Sequence, residues 1–402
     1  MKISAEKDGK RFSLRRNLTA LYIVKVAKWM NLIMPIVVLF YKSNCMTMQD
    51  IFILQGIYSV TLMILEIPTG WFADFAGRRT SILAGSFFGV VGYLVYSTSS
   101  GFWQFVVAET VLGVGMSLVS GADSALLYDS LASAGKDNMY TRFEGRITSI
   151  GNFGEALAGV AGGLLAAYSL RTPYYFQTGI AFLAIPAAMM LREPPVRTII
   201  TPPGARQVLN AIIGIFGKDR KLMWSIILSA VTGVSTLTMA WFAQPFFIQS
   251  GIKVSWFGAI WAILNLSVGI AAMYAWRIED KLGSRKTILF FSAALAAGYL
   301  GLAGGWLIPG FTLLFIFYLA RGLATPTLRN YINLHTTSDV RATILSVRNF
   351  IIRGLFALLG PLFGLITDRS GLSSGMLAAG VFFTLSGGIA LFYFLKTKGY
   401  SK

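Results

Sequence analysis

The sequence predicts an all-α membrane protein of twelve spanning helices built as two six-helix repeats, and three observations lead there. The 402-residue chain is 55% hydrophobic and only 13% charged, against roughly 25% charged for a soluble globular domain. It divides into twelve apolar runs, each with about the 20 residues that a helix rising 1.5 Å per residue needs to cross hydrocarbon. Its lysines and arginines fall mostly on one side of those runs, as the positive-inside rule requires.

The first run, 18–41, follows the basic pair Arg15-Arg16. It is too long for a secretory signal core, contains Lys25 and Lys28 and lacks a small-residue cleavage site, so it reads as the first membrane helix. Runs at 50–73, 80–99, 102–128, 147–169 and 174–191 follow. The interval 192–222 then carries Pro194-Pro195 and Pro202-Pro203, which break helices, and Gln207 to Phe216, whose pattern predicts a short interfacial helix. Six more runs lie at 223–248, 255–276, 287–308, 310–331, 342–366 and 375–395. The predicted organisation is a cytoplasmic segment 1–17, an N-terminal bundle 18–191, a linker 192–222, a C-terminal bundle 223–395 and a cytoplasmic tail 396–402.

With both termini inside, Lys42, Arg171, Lys253 and Arg369 lie outside, and Lys25, Lys28, Arg321, Arg348 and Arg353 are embedded. The other 26 of the 35 basic residues are cytoplasmic. The net charge of +18 is therefore a topology signal and not a nucleic-acid surface. Short loops and compact length point to a multi-pass protein of a bacterial inner membrane, and a monomer is expected. A single cysteine, Cys45, and a single histidine, His335, exclude an intrachain disulfide, a cysteine metal site and a histidine cluster. No metal or cofactor is expected. The absence of a Walker loop, zinc-ligand cluster or nucleophile elbow predicts no enzymatic chemistry.

Between the second and third runs the chain reads Glu66-Ile-Pro-Thr-Gly-Trp-Phe-Ala-Asp-Phe-Ala-Gly-Arg-Arg-Thr80. Gly77 supplies a helix-ending residue that tolerates positive φ, and two arginines hold the turn on the cytoplasmic side. This stretch resembles motif A of the major facilitator superfamily, Gly-x-x-x-Asp-x-x-Gly-Arg-Arg. Gly70, Asp74, Gly77, Arg78 and Arg79 fill its positions, and Phe75 stands where a basic residue is usual. Asp280, Gly283 and Arg285 form a weaker second copy, the first two offset by 206 residues from Asp74 and Gly77. Asn152-Phe153 recur as Asn349-Phe350, and Gly101-Phe102 as Gly310-Phe311.

The resemblance covers essentially residues 18 to 395. It implies a transporter working by alternating access, with its site where the two repeats meet. It also implies that Asp74, with Arg78 and Arg79, is a conformational latch. A carboxylate resting on a helix N-terminus in one state gains about 0.3–1 kcal/mol there. The plainer reading leaves these residues as solvated loop charges.

Gly154, Gly159, Gly162 and Gly163 resemble motif C of the family's proton-coupled exporters, Gly-x-x-x-Gly-Pro-x-x-Gly-Gly, with Ala158-Gly159 replacing the central Gly-Pro. Small residues so spaced let helices approach and bend, which tight packing alone also explains. Glu155 sits roughly 13 Å past Arg146 along its helix. It is the leading proton carrier or, alternatively, the partner of Lys25, Lys28 or an arginine. Glu66, Glu109 and Asp123 are the other candidates for proton coupling. Glu109 stands where motif B of related exporters has an arginine, and Asp123 and Asp129 are expected to pair with Arg142 or Arg146.

Lys28, Arg321 and Arg353 read as substrate or gate residues. Unpaired, the two arginines would favour a carboxylate, sulfonate or phosphate. Asn31, Trp241 and Gln244, with Trp29, Trp261 and Asn265, suit a pocket for an amphipathic organic molecule. The reading is a secondary transporter of a small organic molecule in the lipid bilayer, exporting it in exchange for protons. An importer or uniporter of an organic anion, and a non-transporting receptor or scaffold, are the alternatives.

Overall fold

The computed structural model describes residues 13–195, 219–304, 307–336 and 341–400. The predicted interfacial helix at 207–216 lies outside them. Among the described residues every regular element is a helix. They are α1 (Leu14–Trp29), α2 (Val37–Ser43), α3 (Met48–Ala76), α4 (Arg78–Thr98), α5 (Phe102–Val119), α6 (Ala122–Ala132), α7 (Tyr140–Tyr168), α8 (Thr172–Met190), α9 (Arg220–Gln249), α10 (Val254–Leu282), α11 (Ser284–Ala303), α12 (Leu307–Leu334), α13 (Arg341–Ser370) and α14 (Leu372–Lys396), with one 3-10 turn at Asp137–Met139.

Among the described residues, ten stretches are long and apolar enough to cross a membrane. The pair α1/α2 and α8 occupy the first and sixth predicted runs, so the described residues accord with twelve spans. The chain is a multi-pass membrane protein.

Two runs expected to be continuous are broken. The first stops at Trp29 and resumes at Val37. Pro35 has no N–H to donate, and its ring disfavours helix in the residue before it. The amides so released find side chains: Leu32 N–H donates to Gln177 Oε1 at 2.8 Å, Ile33 N–H to Asn31 Oδ1 at 3.2 Å and Val38 N–H to Gln244 Oε1 at 2.9 Å. The fourth run breaks between α5 and α6 at Ser120-Gly121, where Gly121 has φ +82°. That break puts Asp123 in the first turn of α6. Positive φ recurs at Gly77 (+103°) and Gly283 (+79°), which separate α3 from α4 and α10 from α11 at equivalent places in the two copies of the loop.

The chain forms two compact units. Unit 1 is Met1–Ile36 with Thr61–Pro202, and unit 2 is Val37–Val60 with Pro203–Lys402. The core of unit 1 gathers Leu21, Val24, Ile82, Leu126, Leu127, Leu131, Ile147 and Leu191 from α1, α4, α6 and α7 and the end of α8. Its helices approach through glycines. A Cβ on Gly85 of α4 would lie 2.7 Å from the carbonyl oxygen of Gly115 in α5. One face of α7 receives the broken first run: Gly151 faces the Trp29 ring, Gly154 faces Met30, and Gly162 leaves room for the Leu32 carbonyl.

In unit 2, the Asp368 carboxylate near the end of α13 accepts from the Met48 and Gln49 amides at 2.9 and 2.8 Å. It thereby caps α3 and sits against the positive end of that helix. Phe52 then packs on Phe242 and Phe356, with ring centroids 5.4 and 6.0 Å away.

A side chain at position 162 has nowhere to go except into the Leu32 backbone. Gly162→Val is expected to lower the stability of unit 1 by about 1–3 kcal/mol, the range for overpacking a filled interior. Gly179→Ala, into open space, should change it by no more than about 0.5 kcal/mol. Thermal unfolding of the two variants in detergent compares them directly.

Candidate functional site

The loop Gly77-Arg78-Arg79 is fixed by buried polar contacts within unit 1. Arg78, at the start of α4, is 2% exposed, and its guanidinium forms an ion pair with Asp129 of α6, itself fully buried. The same nitrogen donates to the Ala125 carbonyl at 2.7 Å. The Arg79 amide donates to Glu193 Oε1 at 2.7 Å, and a Cβ on Gly77 would collide with that carboxylate oxygen. A carboxylate on the first amides of α4 is the arrangement the helix dipole favours. Nearby, Asn17 of α1 is fully buried and bonds to the backbone of Arg192 in both directions, at 2.8 and 2.9 Å, and to Ser130 Oγ at 2.9 Å. Asp74 is half-buried in the last turn of α3.

Elsewhere in unit 1, α1, α6 and α7 bring together two lysines and two carboxylates. Lys25 Nζ lies 2.7 and 2.9 Å from the two Glu144 oxygens, 3.4 Å from Ser124 Oγ and 3.8 Å from Asp123. Lys28 reaches the same Asp123 oxygen at 3.7 Å. The Lys25 and Asp123 side chains are 5% and 7% exposed, those of Lys28 and Glu144 24% and 28%. The quartet is balanced in charge, buried at its centre and open at two corners. Tyr140, at the head of α7, is held above the usual phenol value by burial first and by the Glu144 carboxylate next, so it remains a neutral hydroxyl beside the cluster at physiological pH.

The other acids are dispersed. Glu109 of α5 is 4% exposed and accepts from the Tyr96 hydroxyl at 2.6 Å. Glu155 of α7 is half-buried, and Glu66 of α3 is exposed. Gly159, Gly162 and Gly163 are buried, and Gly154 is half-buried.

In unit 2, Gln244 (1% exposed) is engaged with the α2 backbone, and Trp241 is 7% exposed. Arg321 is half-buried in α12 with its guanidinium 5.7 Å from the centre of the Tyr318 ring. Arg353 is half-buried in α13, and Arg348 is buried there. Asp280, Gly283 and Arg285 are exposed at the α10/α11 turn. The acid engaged at that turn is Glu279, which accepts from Ser284 Oγ at 2.8 Å and from the Tyr331 hydroxyl.

Two sequence-based pairings are corrected. Asp123 and Asp129 pair with Lys25, Lys28 and Arg78, and Arg142 and Arg146 are exposed. Glu144, Glu193 and Asn17 were not foreseen. Glu144 fell just before the apolar run begun at 147, whereas α7 starts at Tyr140. The three-residue spacing of Lys25 and Lys28, which puts both on one face of α1, was the one visible sign that carboxylates would be needed opposite them. Chemically, these contacts let carboxylates and cations coexist inside a bundle and exchange partners by short movements.

The profile of the Major Facilitator Superfamily matches residues 23–361. Among characterised relatives, the chain is 24% identical over 338 residues to the tetracycline resistance protein, class G, of Vibrio anguillarum, spanning 77% of this chain and 78% of that one. It is 22% identical over 227 residues to the quinolone resistance protein NorA of Staphylococcus aureus, spanning 56% and 55%. Among solved structures, the nucleoside transporter NupG superposes with a TM-score of 0.75 at 14% identity, over 96% of this chain and 99% of that one. A D-xylose–proton symporter superposes with a TM-score of 0.75 at 14% identity, over 97% and 99%.

Removing one partner of a fully buried ion pair strands the other charge. Asp129→Ala is therefore expected to cost about 3–5 kcal/mol, seen as loss of folded yield and a lowered unfolding midpoint. The double variant Arg78→Met/Asp129→Leu should recover most of that loss.

Proposed function

Because the chain belongs to the major facilitator superfamily, and so is a membrane transporter and not an enzyme, we propose that it exports a small organic molecule in exchange for protons by alternating access. The observation that carries this reading is the concentration of carboxylates inside unit 1, where Asp123 and Glu144 face Lys25 and Lys28 and Glu109 and Glu155 lie further along. Ionisable groups enclosed within a spanning bundle serve ion or substrate movement by default. Two of the relatives confer resistance to organic drugs by name, and a transporter that protects against a compound must move it outward.

In this reading Glu155 is the proton carrier. Its half-burial fits a group that water reaches in one state and loses in the other. Asp74 with Arg78 and Arg79 forms the latch, for which the fixed contacts of Arg78 and of the Arg79 amide give a rigid base. The second copy at Asp280, Gly283 and Arg285 plays the corresponding part in unit 2. Glu66, Glu109 and Asp123 tune the coupling. Lys28, Asn31, Trp241, Gln244, Arg321 and Arg353 contribute to the substrate path or its gates. The glycines at 154, 159, 162 and 163 let α7 accommodate the broken first run. Residues 18–191 and 223–395 act as the two moving halves, and both termini are cytoplasmic. A second reading, import or facilitated passage of an organic anion, is favoured by the arginines inside unit 2.

In inside-out vesicles carrying the native protein, an imposed pH gradient should drive uptake of at least one compound from a panel of cationic, neutral and anionic fluorescent substrates. Glu155→Gln and Asp74→Asn should each reduce that gradient-dependent component roughly tenfold, within the usual span of coupling between sites. Undiminished gradient-driven uptake by Glu155→Gln would remove Glu155 from the carrier role. Uptake confined to intact cells, indifferent to the gradient, would favour the second reading.

A further inference from the structure

Unit 2 holds Arg321, Arg348 and Arg353 buried or half-buried in its helices, and none of them takes part in an ion pair among the described residues. The described acids of this unit stand at helix ends and turns. Asp50 binds Thr47, Asp219 caps α9, Glu279 is engaged by Ser284 and Tyr331, and Asp368 caps α3. Asp280 is exposed.

Arg348 is the most buried of the three arginines, at 7% exposure. Its Nε donates to Ser229 Oγ of α9 at 2.6 Å and its Nη1 to Asn349 Oδ1 at 3.1 Å. Both acceptors are neutral. Arg78 in unit 1, also buried, has a carboxylate.

A guanidinium offers five N–H donors in a planar fork. Two of those of Arg348 meet neutral oxygens, and its positive charge is left uncompensated where compensation matters most. Arg353 lies four residues beyond Asn349, so the two share a face of α13, and both are half-buried. The stretch from Arg348 to Arg353 lies roughly 10–18 Å along the helix from Arg341. An oxyanion received there would supply the missing charge and the remaining acceptors together, through short charge-assisted bonds.

We propose that Arg348 and Arg353, with Ser229 and Asn349, form the site in unit 2 that holds an anionic oxyacid group, a carboxylate, sulfonate or phosphate, of the transported molecule. The proposal rests on the transporter reading and adds to it the charge class of the substrate. Ser229 and Asn349 orient the Arg348 fork, and Arg353 contributes the second positive charge at the more open end.

The test uses the full-length protein in neutral detergent, with the shift of its unfolding midpoint measured against benzoate, benzenesulfonate and phenyl phosphate. Benzyl alcohol serves as the uncharged control, and phosphatidylglycerol in mixed micelles as the lipid arm. At least one soluble anion should stabilise the native protein and benzyl alcohol should not. Arg353→Gln should weaken the apparent affinity about tenfold, and Arg348→Lys, which keeps the charge without the fork, should weaken it comparably. Arg348→Gln should abolish it. If that variant does not fold, Arg353→Gln and Ser229→Ala still decide the matter.

Equal stabilisation of native and variant proteins, or none of the native protein, would overturn the proposal. So would stabilisation by phosphatidylglycerol alone, which would make the occupant a lipid headgroup. Anion binding without gradient-driven uptake of any probe leaves this site standing and removes the exporter reading. Gradient-driven uptake without anion binding does the reverse.

Discussion

A peptide N–H released inside hydrocarbon has no water to take its bond, and each one left unmet costs several kcal/mol. The first spanning segment is built around meeting that demand. The helix opens ahead of Pro35, and Gln177 and Gln244, each 1% exposed, reach the backbone on either side of the opening. The distorted stretch also needs space. The glycine face of α7 provides it, with the Leu32 carbonyl lying where a side chain of residue 162 would be. Two glutamines and a row of missing side chains are thus parts of one solution to a single proline.

The same lack of water governs the charges, and the two units answer it differently. Unit 1 neutralises side chain against side chain: Arg78 against Asp129, and Lys25 and Lys28 against Asp123 and Glu144. Unit 2 places its described acids at helix ends and turns, where backbone amides and hydroxyls receive them, and holds Arg348 buried and Arg321 and Arg353 half-buried with no ion pair among the described residues. The interior of unit 1 is therefore self-compensating at its centre, while that of unit 2 carries positive charge.

Much of this architecture was legible in the sequence, because an apolar run of about 20 residues has few alternatives to a spanning helix, and the Gly77 loop has few to a sharp turn. The break in the first run was not drawn although Pro35 stood in view, because a proline inside an apolar run is also compatible with a kinked continuous helix. The break in the fourth carried a sign that went unused, the Ser120-Gly121 pair. Ion-pair partners were harder. Lys25 and Glu144 are 119 positions apart, and Arg78 and Asp129 are 51 apart. The pairings expected for Asp123 and Asp129 were with arginines nearby in sequence, and the fold chose cations on α1 and α4. Local pattern fixes which residues cannot stay alone. Only packing decides which residue answers each of them.

The contacts around Arg192 and Glu193 also bear on how the chain is made. Asn17 in the first helix is held by the backbone of a residue 175 positions later, and the leading turn of α4 by a carboxylate 114 positions later. Neither contact exists while the ribosome is still working through the helices between them. The first turns of α1 and α4 must wait, in the translocon or in lipid, until the short stretch after α8 has emerged. That stretch closes unit 1 as a final clasp. A nascent chain ending before Arg192 would carry all of the unit's apolar helices and still lack the groups that fasten its first one.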